Sequence, residues 1–110
     1  MKSYTDLEQS KKLGEILSKE SADLSYDWFV IGKEYSSIPL CRKYIDDELP
    51  CWSLAALLNV INTNYYTTLY HDGVAWNIDI IHHDNDKDKH NVYANTPIDA
   101  CVEMILKLNE

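Results

Sequence analysis

Apolar residues recur every three to four positions in three stretches of the chain and every second position in others. Helical spacing marks the first stretch. Thr5 and Glu8 form a T-x-x-E capping box, so a helix is expected to start near Asp6. Leu7, Leu13, Ile16 and Leu17 give its apolar stripe, Gly14 weakens its interior, and the polar run "SKESADLS" ends it. "YDWFVIGKEY", rich in aromatic and β-branched residues, predicts one strand closing near Gly32. Residues 36–50, "SSIPLCRKYIDDELP", carry two prolines and an acidic triplet, and read as an irregular loop with at most one helical turn.

"CWSLAALLNVIN" has the strongest helical pattern. Leu54, Leu57, Leu58 and Ile61 stand at i, i+3, i+4 and i+7, with Ala55 and Ala56 favouring the helix. The period then becomes two. "YYTTLYH" and "VAWNIDII" flank Asp72-Gly73, a dipeptide suited to a tight hairpin, and Val74, Trp76, Ile78 and Ile80 fall on one face of the second strand. A short strand "NVYA" follows. The last helix, "TPIDACVEMILKLNE", opens with Thr96 as N-cap, Pro97 at its first position and Asp99 in its first turn. Its buried face is Ile98, Cys101, Val102, Ile105 and Leu108.

The predicted order is α-β-α-β-β-β-α. Consecutive strands joined by short connections make an antiparallel meander rather than parallel crossovers. The expected architecture is a single α+β domain over residues 1–110. A small sheet of three to four strands carries about three helices on one face. The chain opens with Met1 and is expected to be complete.

Charge narrows the function classes. Ten Lys and Arg against eighteen Asp and Glu leave a net charge of −8. Phosphate-rich partners are disfavoured, so neither nucleic acid nor an anionic membrane is expected to bind. Cys41, Cys51 and Cys101 are odd in number and lack a disulfide-framework spacing, which predicts reduced thiols in a cytoplasmic protein. No signal-peptide pattern or bilayer-length apolar run is present.

Two stretches invite a chemical reading. "HHDNDKDKH", residues 82–90, collects His82, His83, His90 and the D-x-D-x-D run of Asp84, Asp86 and Asp88. As a calcium loop it would place Lys89 where a glycine is needed and Asn95 where a bidentate glutamate is needed. As a zinc site it would ask adjacent His82 and His83, which diverge in a strand, to share one ion. A solvated connection between strands, without metal or other cofactor, is expected instead.

"PCWSLAA" looks like the nucleophile segment of papain-like thiol peptidases, with Cys51 at a helix N-terminus that lowers its pKa. His71 would be the base, oriented by Asn77 or Asp79. No glycine-rich oxyanion segment precedes Cys51, and the acidic "IDDELP" opposes a thiolate. A buried structural cysteine is therefore expected at Cys51, as at Cys101, and Cys41 is placed in a loop. Trp28, Trp52 and Trp76, with eight tyrosines, are of the kind that can line a ligand groove, but such residues more often form the core and its edge, and are expected there.

The stretches "LEQSKKLGEILSKESADLSY" (7–26), "LPCWSLAALLNVI" (49–61) and "NTPIDACVEMILKLNE" (95–110) together resemble a family of short uncharacterised proteins from gut bacteria of the Bacteroides group, often encoded in prophages or other mobile elements. The resemblance spans nearly the whole chain, and residues 27–48 and 62–94 contribute least to it. It implies a small stand-alone intracellular domain with an accessory role, and it carries no site residue.

The leading functional expectation is a non-enzymatic protein-interaction or accessory module with an unidentified protein partner. One alternative is a thiol hydrolase built on Cys51 and His71. Another is an acidic nucleic-acid mimic, which requires Asp46, Asp47, Glu48, Asp84, Asp86 and Asp88 to share one face.

Overall fold

The structure is a computed structural model that describes residues 1–29, 32, 34–36, 38–40 and 48–110. Along the chain run α1 (Leu7–Gly14), a single 3-10 turn (Lys19–Ser21), β1 (Leu24–Tyr26), β2 (Trp28–Phe29), β3 (Glu34–Tyr35) and β4 (Leu49–Cys51). Then come α2 (Leu54–Asn62), β5 (Tyr65–His71), β6 (Trp76–His82), β7 (Lys89–Ala94) and α3 (Pro97–Leu108). The fold class is α+β. The described strands form an antiparallel meander β5-β6-β7 and two antiparallel pairs, β1-β4 and β2-β3.

The expected meander and the three helices are present, with α2 and α3 covering one face of the sheet. Leu57 and Ile61 from α2 meet Ile98, Val102 and Ile105 from α3 above Ile78 and Ile80 of β6, all buried. The spacing of these residues is why the elements form: each helix turns one apolar stripe onto the alternate residues of β6. Thr96 caps α3 by accepting from the Asp99 amide, with Pro97 in the first turn.

Several local expectations shift. The capping box of α1 is Asp6 with Gln9, not Thr5 with Glu8: Asp6 Oδ1 accepts from the Gln9 amide, and Gln9 Oε1 accepts from the Asp6 amide. Thr5 is instead fully buried; its hydroxyl is paired with Ser10 Oγ and accepts from the Trp52 amide. The single strand expected over "YDWFVIGKEY" is divided between β1, β2 and β3, with β2 folded back on β3. The loop expected over 36–50 ends in β4, whose Leu49, Pro50 and Cys51 pair with Tyr26, Ser25 and Leu24.

Cys51 and Trp52 precede α2 rather than open it. Ser53 is the N-cap, and Asp23 holds it by accepting from both its amide and its hydroxyl. At the hairpin, the turn occupies residues 72–75 and Val74 lies exposed in it, off the face that carries Ile78 and Ile80. Asp72 Oδ1 accepts from the amides of Val74 and Ala75, and Gly73 takes a φ of 96°, where a side chain would be strained. Those amides and Asn77 hold the Asp72 carboxyl at about 2.

The N-terminal segment is tied to α3 through Lys2, whose ammonium lies 2.8 Å from Asp99 Oδ1 and 3.0 Å from Asp6 Oδ2. Partial burial opposes ionisation of both carboxyls. Hydrogen bonds from Lys2, Gln9 and Thr96 outweigh it at Asp99, as those from the Gln9 amide and Lys2 do at Asp6, and both acids are lowered. A carboxyl that is more acidic in the folded state stabilises it above the ordinary value of 3.8, and the contribution is lost as pH falls through the lower folded value. The urea midpoint is therefore expected to be flat from neutral pH to about 5 and to drop below about 4. Lys2→Met should shallow that acid slope. An identical slope in the variant would rule the cluster out as its source.

Candidate interaction face

With α2 and α3 on one side of the meander, the other side is open. Strand alternation decides what stands there. Three cross-strand rows point outward: Tyr66, Ile81 and Lys89; Thr68, Asp79 and Asn91; Tyr70, Asn77 and Tyr93. Tyr66 is 67% exposed, Tyr93 71%, Ile81 43% and Tyr70 39%, so no described element covers them. The His83 ring lies 4.5 Å from that of Tyr66 and extends the face past the end of β6.

The centre of this face is polar and held in place. Asn91 Nδ2 donates to Asp79 Oδ1, and Asn77 Nδ2 donates to Asp72 Oδ2 at 2.9 Å. Partial desolvation and the Asp79 carboxylate push the Tyr70 hydroxyl up, so it stays a neutral donor. The result is a fixed carboxylate and amide at the centre, with tyrosine rings and Ile81 around it. Tyrosine suits such a surface because it offers broad contact area with few rotatable bonds and a hydroxyl at its tip.

The candidate metal segment divides between the two faces. His82 turns to the helix side, its ring 5.2 Å from Tyr65, while His83 turns to the open side. His90 shares the helix side with His82, where its Nε2 pairs with Asp88 Oδ1 at 2.8 Å. Asp88 also accepts from the Tyr65 hydroxyl at 3.1 Å, and His90 followed by Tyr65 lowers its carboxyl. Residues 83–88 form the β6–β7 connection, in which Asp84, Asp86 and Lys87 are exposed. Among the described residues, no three His, Cys, Asp or Glu side chains are grouped to hold a metal ion.

Cys51 is 0% exposed. Its thiol faces Thr5, donating to the Thr5 carbonyl at 3.4 Å while Tyr26 donates to the same oxygen at 2.8 Å. Burial pushes the thiol up despite the hydrogen bonds from Thr5, Ser10 and Tyr26. A helix-end thiolate is thus absent from this position, because the residue closes β4 and helix α2 begins at Leu54. His71 is occupied elsewhere: its Nδ1 accepts from the Gly73 amide and its ring meets Trp76 at 5.3 Å. Cys101 is equally buried on α3, and burial alone raises it to about 12. Cys41 lies outside the described residues.

Of the acidic triplet, Glu48 is among the described residues. Glu48 is buried, with Oε2 accepting from the buried Ser25 hydroxyl at 2.6 Å. Asp88 is half-buried and engaged by His90 and Tyr65. These two carboxylates point into the protein, which removes them from the single acidic face that mimicry requires. Asp46 and Asp47 lie outside the described residues.

Of the tryptophans, Trp52 is fully buried, whereas Trp28 is exposed against Tyr35 and Trp76 is half-buried. Tyr66, Tyr70 and Tyr93, expected in the core or at its edge, face outward. The four-residue spacing of Tyr66 and Tyr70 carried that signal in part. It was ambiguous because Tyr65, Thr67 and Leu69 make the opposite face of β5 look similar. No described helix is long and apolar enough to cross a membrane. Comparisons with family models, curated proteins and solved structures return no match.

Proposed function

We propose that this chain is a non-enzymatic protein-interaction module that docks a protein partner on the open face of β5-β6-β7. The observation that carries the reading is the exposed set Tyr66, Tyr70, Ile81 and Tyr93 on a sheet face that no described element covers. Aromatic anchors around a fixed polar centre are the composition of energetically dominant interface patches. The net charge of −8, with Asp79 central, favours a basic or neutral protein surface over nucleic acid. The buried, raised Cys51 thiol gives no support to thiol catalysis. A cytoplasmic accessory role in a mobile element belongs to the same proposal and rests on the resemblance of residues 7–26, 49–61 and 95–110 to that family.

The test uses purified wild-type chain and a Tyr66→Ser/Tyr93→Ser variant as baits in lysate of the source cell. Both side chains are exposed, so the variant should keep its circular dichroism spectrum and melting temperature. The expected result is a partner retained in stoichiometric amount by the wild type and reduced at least about tenfold by the variant. Equal retention by the two baits would remove the open face from the reaction.

A further inference from the structure

One edge of the meander is unusually undefended. Residues 49–71, from the start of β4 through α2 and all of β5, contain no Asp, Glu, Lys or Arg, although a quarter of the chain is charged. β5 is an edge strand, paired only with β6 among the described residues. Natural edge strands of this length usually carry a lysine, a proline or a bulge that prevents further pairing. β5, "YYTTLYH", has none of these; the other edge, β7, begins with Lys89 and has Lys87 two residues before it.

Hydrogen-bond parity shows which groups face outward. The Asp72 amide donates to Ala75 O and the His83 amide donates to Asn64 O, one pair at each end of the β5–β6 ladder. In an antiparallel ladder, bonded and non-bonded residue pairs alternate. Tyr66, Thr68 and Tyr70 therefore exchange bonds with β6. Tyr65, Thr67, Leu69 and His71 turn their N–H and C=O groups away from the sheet, and no described backbone group takes them.

We propose that two copies of this chain pair through β5, antiparallel and about a two-fold axis at Thr68, joining two three-stranded sheets into one. A dyad there overlaps the whole of Tyr65–His71 and satisfies the parity. Thr67 exchanges both bonds with the partner's Leu69, and Tyr65 does so with the partner's His71. On the open face Tyr66 stands against the partner's Tyr70, and Thr68 against the partner's Thr68, both favourable cross-strand combinations. The edge fits a second copy because β5 is self-complementary about Thr68 and opposes no charged side chain to its own image. Each copy carries −8, so like copies repel across most of their surface, and this edge is where two of them meet without opposed charges. The dimer also makes the two tyrosine faces continuous, but it does not depend on any further partner, because it is measured on the purified chain alone.

Sedimentation equilibrium over about 5 to 500 µM tests the pairing. The wild-type mass is expected to rise from 12.7 kDa toward twice that value. Thr68→Lys places two ammonium groups opposite each other at the dyad, and Thr68→Glu places two carboxylates. Thr68 is exposed, so each variant should fold alone. Each is expected to weaken the dimer about tenfold or more, since like charges directly opposite each other on neighbouring strands repel. Mixing Thr68→Lys with Thr68→Glu should restore a dimer at wild-type concentrations or below. A wild-type mass of 12.7 kDa throughout the range overturns the proposal. So does a wild-type dimer that neither substitution weakens, or a mixture that stays monomeric.

Discussion

Trp52→Ala is expected to lower the free energy of unfolding by about 3–5 kcal/mol, the usual cost of emptying a large aromatic site in a core. A domain of this size has only about 5–15 kcal/mol in total, so the variant should be largely unfolded or close to it at 37 °C. Trp52 is fully buried and joins the two halves of the molecule. Its backbone amide donates to Thr5 Oγ1, its carbonyl accepts from the Thr5 amide at 3.0 Å, and its indole Nε1 donates to Ser21 Oγ at 2.9 Å. Truncation leaves a cavity and removes the indole donor from Ser21 Oγ, which keeps its own bond to the Ser18 carbonyl. Trp28→Ala is the control: that side chain is exposed, and a loss under about 1 kcal/mol is expected. Comparable urea midpoints for the two variants would show that Trp52 is not the junction.

The second large effect is alkaline. Burial raises Cys101 to about 12 from an ordinary value of 9.0, and burial raises Cys51 as well. A group whose folded pKa lies above its unfolded one contributes fully below the unfolded value, and its contribution is lost as pH rises toward the folded one. In the unfolded chain the thiols ionise above 9.0, while in the core they stay protonated. The Cys101 thiol should therefore cost about 1.4 kcal/mol of stability per pH unit above 9, and Cys51 acts in the same direction. Tyr26, raised by burial and by the neighbouring Cys51, acts in the same direction. Urea titrations between about pH 8 and 11 should show a steep loss in the wild type and a shallower one in Cys101→Ala. That variant gives up about 1 kcal/mol of packing at neutral pH. An unchanged slope would mean that Cys101 ionises freely in the folded protein.

The parts of the fold that were legible in the sequence are those where one physical signal dominated. In α3 the apolar residues at helical spacing agree with the cap, and in α2 the spacing from Leu54 to Ile61 places the helix body, though not its start. In the meander, period two persists long enough to fix three strands. The N-terminal half was less legible because its strands are two or three residues long, too short for a period to register. Their pairing is set by contacts distant in sequence, such as Leu24 with Cys51. The capping box was misplaced by one residue because Thr5-x-x-Glu8 and Asp6-x-x-Gln9 both fit the motif. The choice falls to Asp6 because the Thr5 hydroxyl is taken by Ser10 and Trp52.

The candidate face was hidden for a related reason. Composition suggests that tyrosines pack in the core edge, and only the registers of β5 with β6 and of β6 with β7 place Tyr66, Tyr70 and Tyr93 on one open surface. Cys51 was misread as a helix-end residue because "CWSLAALL" is apolar from its first position. The helix start is set instead by Ser53, which Asp23 holds from a part of the chain far away in sequence.

The meander closes its two hairpins over residues 72–75 and 83–88, while β1 meets β4 only after the chain has travelled from Tyr26 to Leu49. Entropy of loop closure grows with the length of chain enclosed, so residues 54–108 can assemble around Ile78 and Ile80 from mostly neighbouring contacts. Trp52 bridges the two parts: it packs in that core while its amide and indole bond to Thr5 and Ser21. The boundary between mostly local and long-range strand pairing falls at Ser53, which caps α2 and is itself held by Asp23 from the N-terminal half.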